Sequence, residues 1–231
     1  MTIWAILPAA GVGQRMGAPI PKQYLDLAGK PVIQHSIETL LQVSAVDSVT
    51  VALNPADTHF ANLDLPGDRI RTIKGGDSRQ QSVLNGLVSL ESSANDDDWV
   101  LVHDAVRPCV LVQDIEKLLG EVSDHPIGGL LATPQDNTLK LSDGSNHAIE
   151  TVDRSAYWQA LTPQVFRYAA LKHAIQKAIE SNKPVTDEAS AIEAQGSKPL
   201  LVEGDRNNIK LTRESDLYLA DAILKLQQRA N

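Results

Sequence analysis

Short apolar runs bounded by turn residues alternate along this chain with longer stretches whose apolar positions recur every three or four residues. The first pattern reads as strands and the second as helices packed by one face. Strands are predicted at Thr2–Leu7, Ser48–Leu53, Arg69–Ile73, Trp99–His103, Ile127–Ala132 and Leu200–Glu203. Helices are predicted at Val32–Gln42, Ser78–Ser92, Gln113–Glu121, Tyr168–Ser181, Asp187–Gln195 and Arg213–Gln228. Strand–helix alternation of this kind points to an α/β fold with a mostly parallel sheet and crossover helices. Ala5–Ile6 and Val100–Val102 are apolar without interruption, as strands covered on both faces are. The acidic stretch Asn95–Asp98 is expected to be an exposed loop.

One segment breaks the alternation. Asp136–Leu141, the turn Ser142-Asp143-Gly144-Ser145, and His147–Val152 read as a β-hairpin with polar residues on both faces. Isolated hairpins are marginal in water, so this one is expected to pack outside the main sheet, on a partner subunit or as a flap on its own chain. No repeat or low-complexity linker divides the chain, so residues 1–231 are expected to form one domain, with 135–158 as an arm within it.

The chemistry is concentrated first in residues 7–23. The opening apolar run enters a loop with Gly11, Gly13 and Gly17 that carries Arg15 and reaches Lys22. Glycines let backbone N–H groups approach an anion, and fixed cations hold what the amides cradle. The loop lacks the Gly-Lys-Ser/Thr ending of a P-loop. Its spacing, Gly-x-Gly-x-x-x-Gly with Pro19 and Pro21 following, also departs from the dinucleotide fingerprint, which opens a helix. A nucleoside triphosphate site at the first strand end is the reading that remains beside a plain tight turn.

Composition narrows the field. A net charge of −8 argues against a general binder of nucleic acid or of anionic membrane surfaces. No run of apolar residues is long enough to span a bilayer, and the N-terminus lacks a secretory pattern, so a cytoplasmic protein is expected. Cys109 is the only cysteine, which excludes an internal disulfide and suits a small buried residue better than a catalytic thiol.

Four further constellations carry polar chemistry. Gly75-Gly76-Asp77-Ser78-Arg79 lies between a strand and a helix, where Asp77 or Ser78 would cap the helix and Gly76 would offer N–H groups beside a carboxylate. His103-Asp104-Ala105-Val106-Arg107-Pro108 follows a buried strand, where open parallel sheets gather ligands. Asp104 there is placed either to hold Mg²⁺ through oxygen or to pair structurally with Arg107, and His103 is either a base or a satisfied strand-end histidine. Thr186-Asp187-Glu188-Ala189-Ser190 has the form of a capping box. Lys210, before the last helix, is a third cation able to return to the phosphate site.

The order of these motifs is more telling than any one of them. Pro-Ala-Ala-Gly-x-Gly-x-Arg-Met, Pro-Lys-Gln, Gly-Gly-Asp-x-Arg, His-Asp-Ala-x-Arg-Pro, Thr-Val-Asp-Arg, Leu-Thr-Pro-Gln, Thr-Asp-Glu-Ala-Ser and Asn-Ile-Lys-x-Thr run from Ile6 to Thr212. In this series the chain resembles the bacterial 2-C-methyl-D-erythritol 4-phosphate cytidylyltransferases. The resemblance implies a Rossmann-like nucleotidyltransferase fold, a homodimer formed through the arm, and transfer of CMP from CTP to methylerythritol phosphate with release of pyrophosphate, a step of non-mevalonate isoprenoid synthesis.

Site roles follow by motif. The resemblance implies that Arg15, Lys22 and Lys210 bind the CTP phosphates and that Ala9, Ala10, Gly11, Gly13 and Ala105 line the nucleotide. Gly76, Asp77 and Ser82 would read the cytosine and ribose side, and Asp104 would hold Mg²⁺ or another divalent cation. Thr138 and Arg154 on the arm would grip the sugar phosphate in the neighbouring subunit's site, with Arg107, Thr162 and Thr186 completing that pocket. Two positions depart from the family pattern, Asn137 where Asp is usual and Val106 where Ala is commoner. The alternatives are a ribitol 5-phosphate cytidylyltransferase, which differs in the arm, and a catalytically silent nucleotide-binding module. A nicotinamide-dependent dehydrogenase is disfavoured by the glycine spacing.

Overall fold

The computed structural model describes residues 1–11, 20–182 and 185–230. Its strands are β1 (Ile3–Ala9), β2 (Asp26–Leu27), β3 (Lys30–Pro31), β4 (Val46–Leu53), β5 (Ile70–Lys74), β6 (Trp99–Val102), β7 (Gly128–Pro134), β8 (Leu139–Ser142), β9 (Ala148–Val152), β10 (Trp158–Arg167) and β11 (Leu200–Glu203). Its helices are α1 (Val32–Gln42), α2 (Arg79–Ser89), α3 (Val112–Val122), α4 (Tyr168–Glu180), α5 (Glu188–Glu193) and α6 (Ser215–Ala230). Seven strands form one sheet in the order β11-β7-β10-β6-β1-β4-β5, and every neighbouring pair is parallel except the two made by β10.

Alternation along β1 shows how the sheet is sealed on both faces. Ala5, Leu7 and Ala9 join Ile33, Ile37 and Leu40 of α1 and Ile115, Leu118 and Val122 of α3 in one core. Trp4 and Ile6 join Val83 and Leu87 of α2 and Leu171, Ala174 and Ile175 of α4 in the other. This is the period of two expected of a strand with helices above and below. Helix α2 lies so close to β1 that a Cβ added at Gly86 would stand 2.8 Å from Ile6 Cγ2. A third, smaller cluster packs Ala220 and Ile223 of α6 against Leu27, Val106, Cys109 and Leu211. It fixes two loops, around residues 106 and 211, that reach the site described below.

All six predicted strands and all six predicted helices are present, with shifted ends at most of them. Two features differ from expectation. The central antiparallel strand β10 reads poorly in sequence because Pro163 and the polar residues Gln159, Thr162 and Gln164 interrupt its apolar run. It is nevertheless buried from Leu161 to Phe166, with its pairing to β7 interrupted between Ala160 and Gln164. The acidic loop is exposed only through Asp97. Asp98 is buried and accepts hydrogen bonds from the backbone N–H groups of Thr2 (2.9 Å) and Asn95 (3.0 Å) and from Trp4 Nε1 (3.2 Å), tying the loop to the start of β1.

The arm is a hairpin whose strands, β8 and β9, form a separate two-stranded sheet. Its turn places Gly144 at φ +85° and Asn146 at φ +67°, left-handed conformations that these two residue types tolerate. Most arm residues are exposed, and the apolar Leu141, Ile149, Tyr157 and Trp158 are among them.

Candidate active site

The carboxyl ends of β1 and β6 open onto a cavity of about 550 Å³. Its walls are Pro8–Gly11, Lys22–Gln23, Gly76–Arg79, Ser82, Asp104–Val106, Lys210 and Thr212. Five separate stretches of sequence therefore converge at the place where α/β sheets bind ligands. Gly13 and Arg15, and Gly17 with them, lie outside the described residues.

The wall formed by β1 is held by an amide. Gln23, buried within the short turn that carries Lys22, donates from Nε2 to the carbonyls of Ala9 (2.9 Å) and Gly11 (3.2 Å). Asn54 Nδ2 donates to Ala10 O (3.2 Å) from the next strand end. A Cβ on Gly75 would lie 2.5 Å from Ala10 Cβ, so glycine there lets the second loop close against the first.

That second loop is a helix cap built as the sequence suggests. Ser78 Oγ accepts from Gln81 N (3.1 Å), while Ser82 Oγ accepts from Gly76 N (3.0 Å) and donates to Ser78 O (2.9 Å). At Gly76 a Cβ would stand 2.2 Å from Gln81 Cγ, which leaves glycine as the residue that fits without a shift. Gly76, Asp77 and Ser82 thus face the cavity from a pinned turn.

Asp104 is the electrostatic centre. Its Oδ1 lies 3.1 Å from Arg79 Nε, and its Oδ2 lies 2.8 Å from Lys210 Nζ and 3.5 Å from Arg107 Nε. Burial alone would raise its pKa, but Arg79, Lys210 and Arg107 outweigh that and hold the carboxyl well below the usual carboxylate range. Lys22 reaches the same region and donates from Nζ to Leu211 O (3.1 Å), beside Lys210. The backbone of Leu211 is in turn fixed by its N–H to Val106 O (2.9 Å).

Behind the cavity wall runs a closed chain of hydrogen bonds. Asp104 N–H donates to Thr162 Oγ1 (3.1 Å), Thr162 Oγ1 lies 3.0 Å from His103 Nδ1, and His103 Nε2 lies 3.2 Å from Arg107 O. Because Arg107 O can only accept, Nε2 carries the imidazole proton and Nδ1 accepts from the threonine hydroxyl. Burial pulls the His103 pKa down to about 4, so the ring is neutral and both its nitrogens are occupied. Of the two readings of this histidine, the satisfied strand-end residue is the one realised. Cys109, fully buried, has a thiol pushed up to about 12 by burial.

The structure brings Ala9, Ala10, Gly11, Lys22, Gly76, Asp77, Ser82, Asp104, Ala105 and Lys210 together around one cavity. Arg107 and Thr162 are buried beside Asp104, where Arg107 Nη1 donates to Asn208 O (2.7 Å) and the Thr162 hydroxyl supports the Asp104 backbone. Thr186 is exposed just before α5, and Thr138 and Arg154 are exposed on the arm. Arg154 donates to Asp136 O, and Asp136 also pairs with Arg206 (2.8 Å) beside a smaller cavity of about 190 Å³ at the arm's base.

Arg79 and Glu188, like Gln23, belong to the quoted motifs but drew no role from sequence. Arg79 lines the cavity and Glu188 is buried behind it, the two joined by a bidentate ion pair at 2.6 and 3.0 Å. The capping box at α5 forms between Asp187 and Ser190, which leaves Glu188 free for this contact. The arginine of Gly-Gly-Asp-x-Arg and the glutamate of Thr-Asp-Glu-Ala-Ser carried the signal.

Comparison with known proteins places these features in a family. Residues 3–226 match the family model of 2-C-methyl-D-erythritol 4-phosphate cytidylyltransferase. The chain is 50% identical over 216 residues to the enzyme of that name from Pseudomonas putida strain GB-1, covering 93% of this chain and 92% of the relative. The corresponding protein of Pseudomonas savastanoi pv. phaseolicola is 49% identical over the same shares of the two chains. The crystal structure of the Francisella tularensis 2-C-methyl-D-erythritol 4-phosphate cytidylyltransferase superposes with a TM-score of 0.84 at 35% identity, covering 96% of this chain and all of that one (100%).

Proposed function

From the premise that the chain belongs to the 2-C-methyl-D-erythritol 4-phosphate cytidylyltransferase family, we propose how its residues divide the work of that enzyme. The reaction transfers CMP from CTP to the phosphate of methylerythritol phosphate. An oxygen of the acceptor phosphate attacks the α-phosphorus, the bond to the β-phosphate oxygen breaks in line, and pyrophosphate leaves. Charge accumulates on the phosphoryl oxygens, so positioning and fixed positive charge supply most of the rate.

Lys22 and Lys210 stand ready for that charge at one end of the cavity, and Arg15 joins them by motif. Ala9–Gly11 supply backbone groups to the nucleotide, Ala105 packs against it, and the pinned turn Gly76–Asp77 with Ser82 reads the base and ribose. A phosphate monoester dianion needs no general base, which agrees with a neutral, doubly bonded His103. The observation that carries the reading is the convergence of Lys22, Asp104 and Lys210 on one cavity from three distant parts of the chain.

A divalent cation belongs to this reading. Among the described residues no cluster of three or more His, Cys, Asp or Glu side chains forms a metal cage. At the strand end Asp104 offers a hard oxygen donor held ionised, which fits Mg²⁺ taken by one carboxylate together with substrate phosphates. When bound there, the ion would neutralise phosphate charge beside the two lysines.

The acceptor half of the site is assigned to the arm of a second subunit. No residue of the arm lines the large cavity, and the arm exposes Leu141 (47%), Ile149 (61%), Tyr157 (50%) and Trp158 (37%). In a homodimer the arm would cover those side chains and bring Thr138 and Arg154 to the neighbour's CTP, with Arg107, Thr162 and Thr186 on the receiving side. A cytoplasmic location belongs to the same reading, because CTP is available there.

Pyrophosphate release tests the assignment. Turnover with CTP, Mg²⁺ and methylerythritol phosphate is expected, with little turnover of ribitol 5-phosphate; the reverse preference overturns the acceptor assignment. For the arm, mixing inactive Lys22→Ala and inactive Arg154→Ala proteins under subunit exchange should restore activity. A mixture that stays inactive while exchange is demonstrated rules out a shared site.

A further inference from the structure

Arg79 shares its donors between two carboxylates. Nη1 and Nη2 grip the two oxygens of Glu188 at 2.6 and 3.0 Å, and Nε reaches Asp104 Oδ1 at 3.1 Å. Glu188 is fully buried at the start of α5, and Asp104 is 6% exposed at the end of β6. A guanidinium is planar and rigid, so fixing both Nη atoms fixes the direction of the Nε–H bond. The backbone of Asp104 is held independently by Thr162. With Oδ1 bound to Arg79, the other oxygen is turned toward Lys210.

Stability is a weak reason for this arrangement. A buried ion pair contributes little beyond what apolar residues of the same volume would, because desolvation offsets the attraction. Its position explains more. Three cations surround Asp104, and Glu188 balances one of them, so the carboxylate does not face three uncompensated positive charges.

We propose that Glu188 and Arg79 are positioning residues for nucleotidyl transfer: Glu188 locks the Arg79 guanidinium, and Arg79 orients the Asp104 carboxylate and moderates the positive field around it. The inference rests on the reading of Asp104 as the metal-holding carboxylate. It predicts that Glu188, which lines no part of the cavity, controls how the enzyme captures a divalent cation with CTP.

Mn²⁺ titrated into the full-length protein with CTP, followed by electron paramagnetic resonance against CTP alone, gives a readout independent of turnover. Glu188→Gln removes the balancing charge, and Arg79→Lys keeps a cation that cannot hold the fork and Asp104 together. Both are expected to weaken Mn²⁺ capture by about ten- to a hundredfold, the usual scale for partners behind a metal ligand. The Mg²⁺ concentration for half-maximal velocity should rise in parallel. The double variant Arg79→Gln/Glu188→Gln removes both charges together and should melt above Arg79→Gln, yet retain the metal defect. Metal curves that overlay wild type in Glu188→Gln and Arg79→Lys, while Asp104→Asn is shifted, overturn the inference and leave the metal reading standing. If Asp104→Asn also overlays wild type, the metal reading falls and the inference falls with it. A double variant restored in both stability and metal capture shows the pair to be structural only.

Discussion

Replacing Gln23 by alanine probes how the nucleotide loop is built. The side chain is 3% exposed, touches the chain through two hydrogen bonds, and joins the end of β1 to the turn that presents Lys22. Each such bond is worth about 0.5–1.5 kcal/mol net, so losing both costs roughly 1–3 kcal/mol. At about 1.4 kcal/mol per factor of ten, that is roughly a 5- to 150-fold effect if it falls on the geometry that receives CTP. Steady-state pyrophosphate release at varied CTP should then show kcat/KM for CTP reduced within that range. The melting temperature should fall by about 2–4 °C per kcal/mol, the usual scale for a chain of this size. Gln23→Glu is the sharper variant. It is nearly isosteric but sets an acceptor-only carboxylate against two carbonyl oxygens, so its defect should exceed that of alanine. Normal CTP kinetics in Gln23→Ala with a lowered melting temperature would refute the reasoning, because the amide would then serve the fold alone. Glutamate performing as well as glutamine would refute it too.

Other expectations follow from the same contacts. His103 has a folded pKa of about 4, below its value in the unfolded chain. Its contribution to stability is therefore complete above about pH 6.5 and is lost as pH falls toward 4, at up to ~1.4 kcal/mol per pH unit. Urea melts at pH 7 and 5.5 should show wild type losing about 1 kcal/mol more than His103→Gln over that interval; equal losses would show that the ring is not buried neutral. Cys109, fully buried with its thiol pushed up to about 12, should resist a disulfide-exchange reagent in the native protein and react fully in denaturant. Gly86→Ala, whose Cβ would stand 2.8 Å from Ile6 Cγ2, should cost about 1–3 kcal/mol by overpacking α2 against β1. An unchanged melting temperature in that variant would mean that the helix can withdraw from the sheet freely.

What sequence revealed and what it concealed separate along physical lines. Helix α1, Val32–Gln42, was legible to the residue because its apolar positions recur at helical period and nothing at its ends competes. Strand β10 was not legible, because its core positions include Thr162 and Gln164, whose side chains depend on partners far along the chain: Asp104 and His103 for the one, Asp187 and Ala189 for the other. The same limit applies to the site. Lys22, Asp104 and Lys210 stood out as cations and a carboxylate in glycine-rich or strand-end settings. Glu188 sat inside a capping motif that explained its neighbours, and only the fold places it against Arg79, 109 positions away. Local rules find residues that act from where they sit; residues that act through another residue appear once the chain is folded.

This distinction bears on how a chain of net charge −8 can serve a triphosphate. The acidic surplus is spread over the whole sequence, and at physiological ionic strength charges are screened beyond about 8 Å. What a phosphate meets is the local set, where Lys22, Arg79, Lys210 and the buried Arg107 stand with Asp77, Asp104 and Glu188. Each cation already has a partner of its own: Lys22 the carbonyl of Leu211, Lys210 the carboxylate of Asp104, Arg79 that of Glu188. Pairing limits their mutual repulsion, which would otherwise open the junction between the loops at 104–107 and 210–212. It also leaves each lysine held through its one ammonium nitrogen, whereas Arg79 is gripped at three nitrogens. The cations that can turn to a new anion are therefore the lysines, and the one held by a buried carboxylate keeps Asp104 in place.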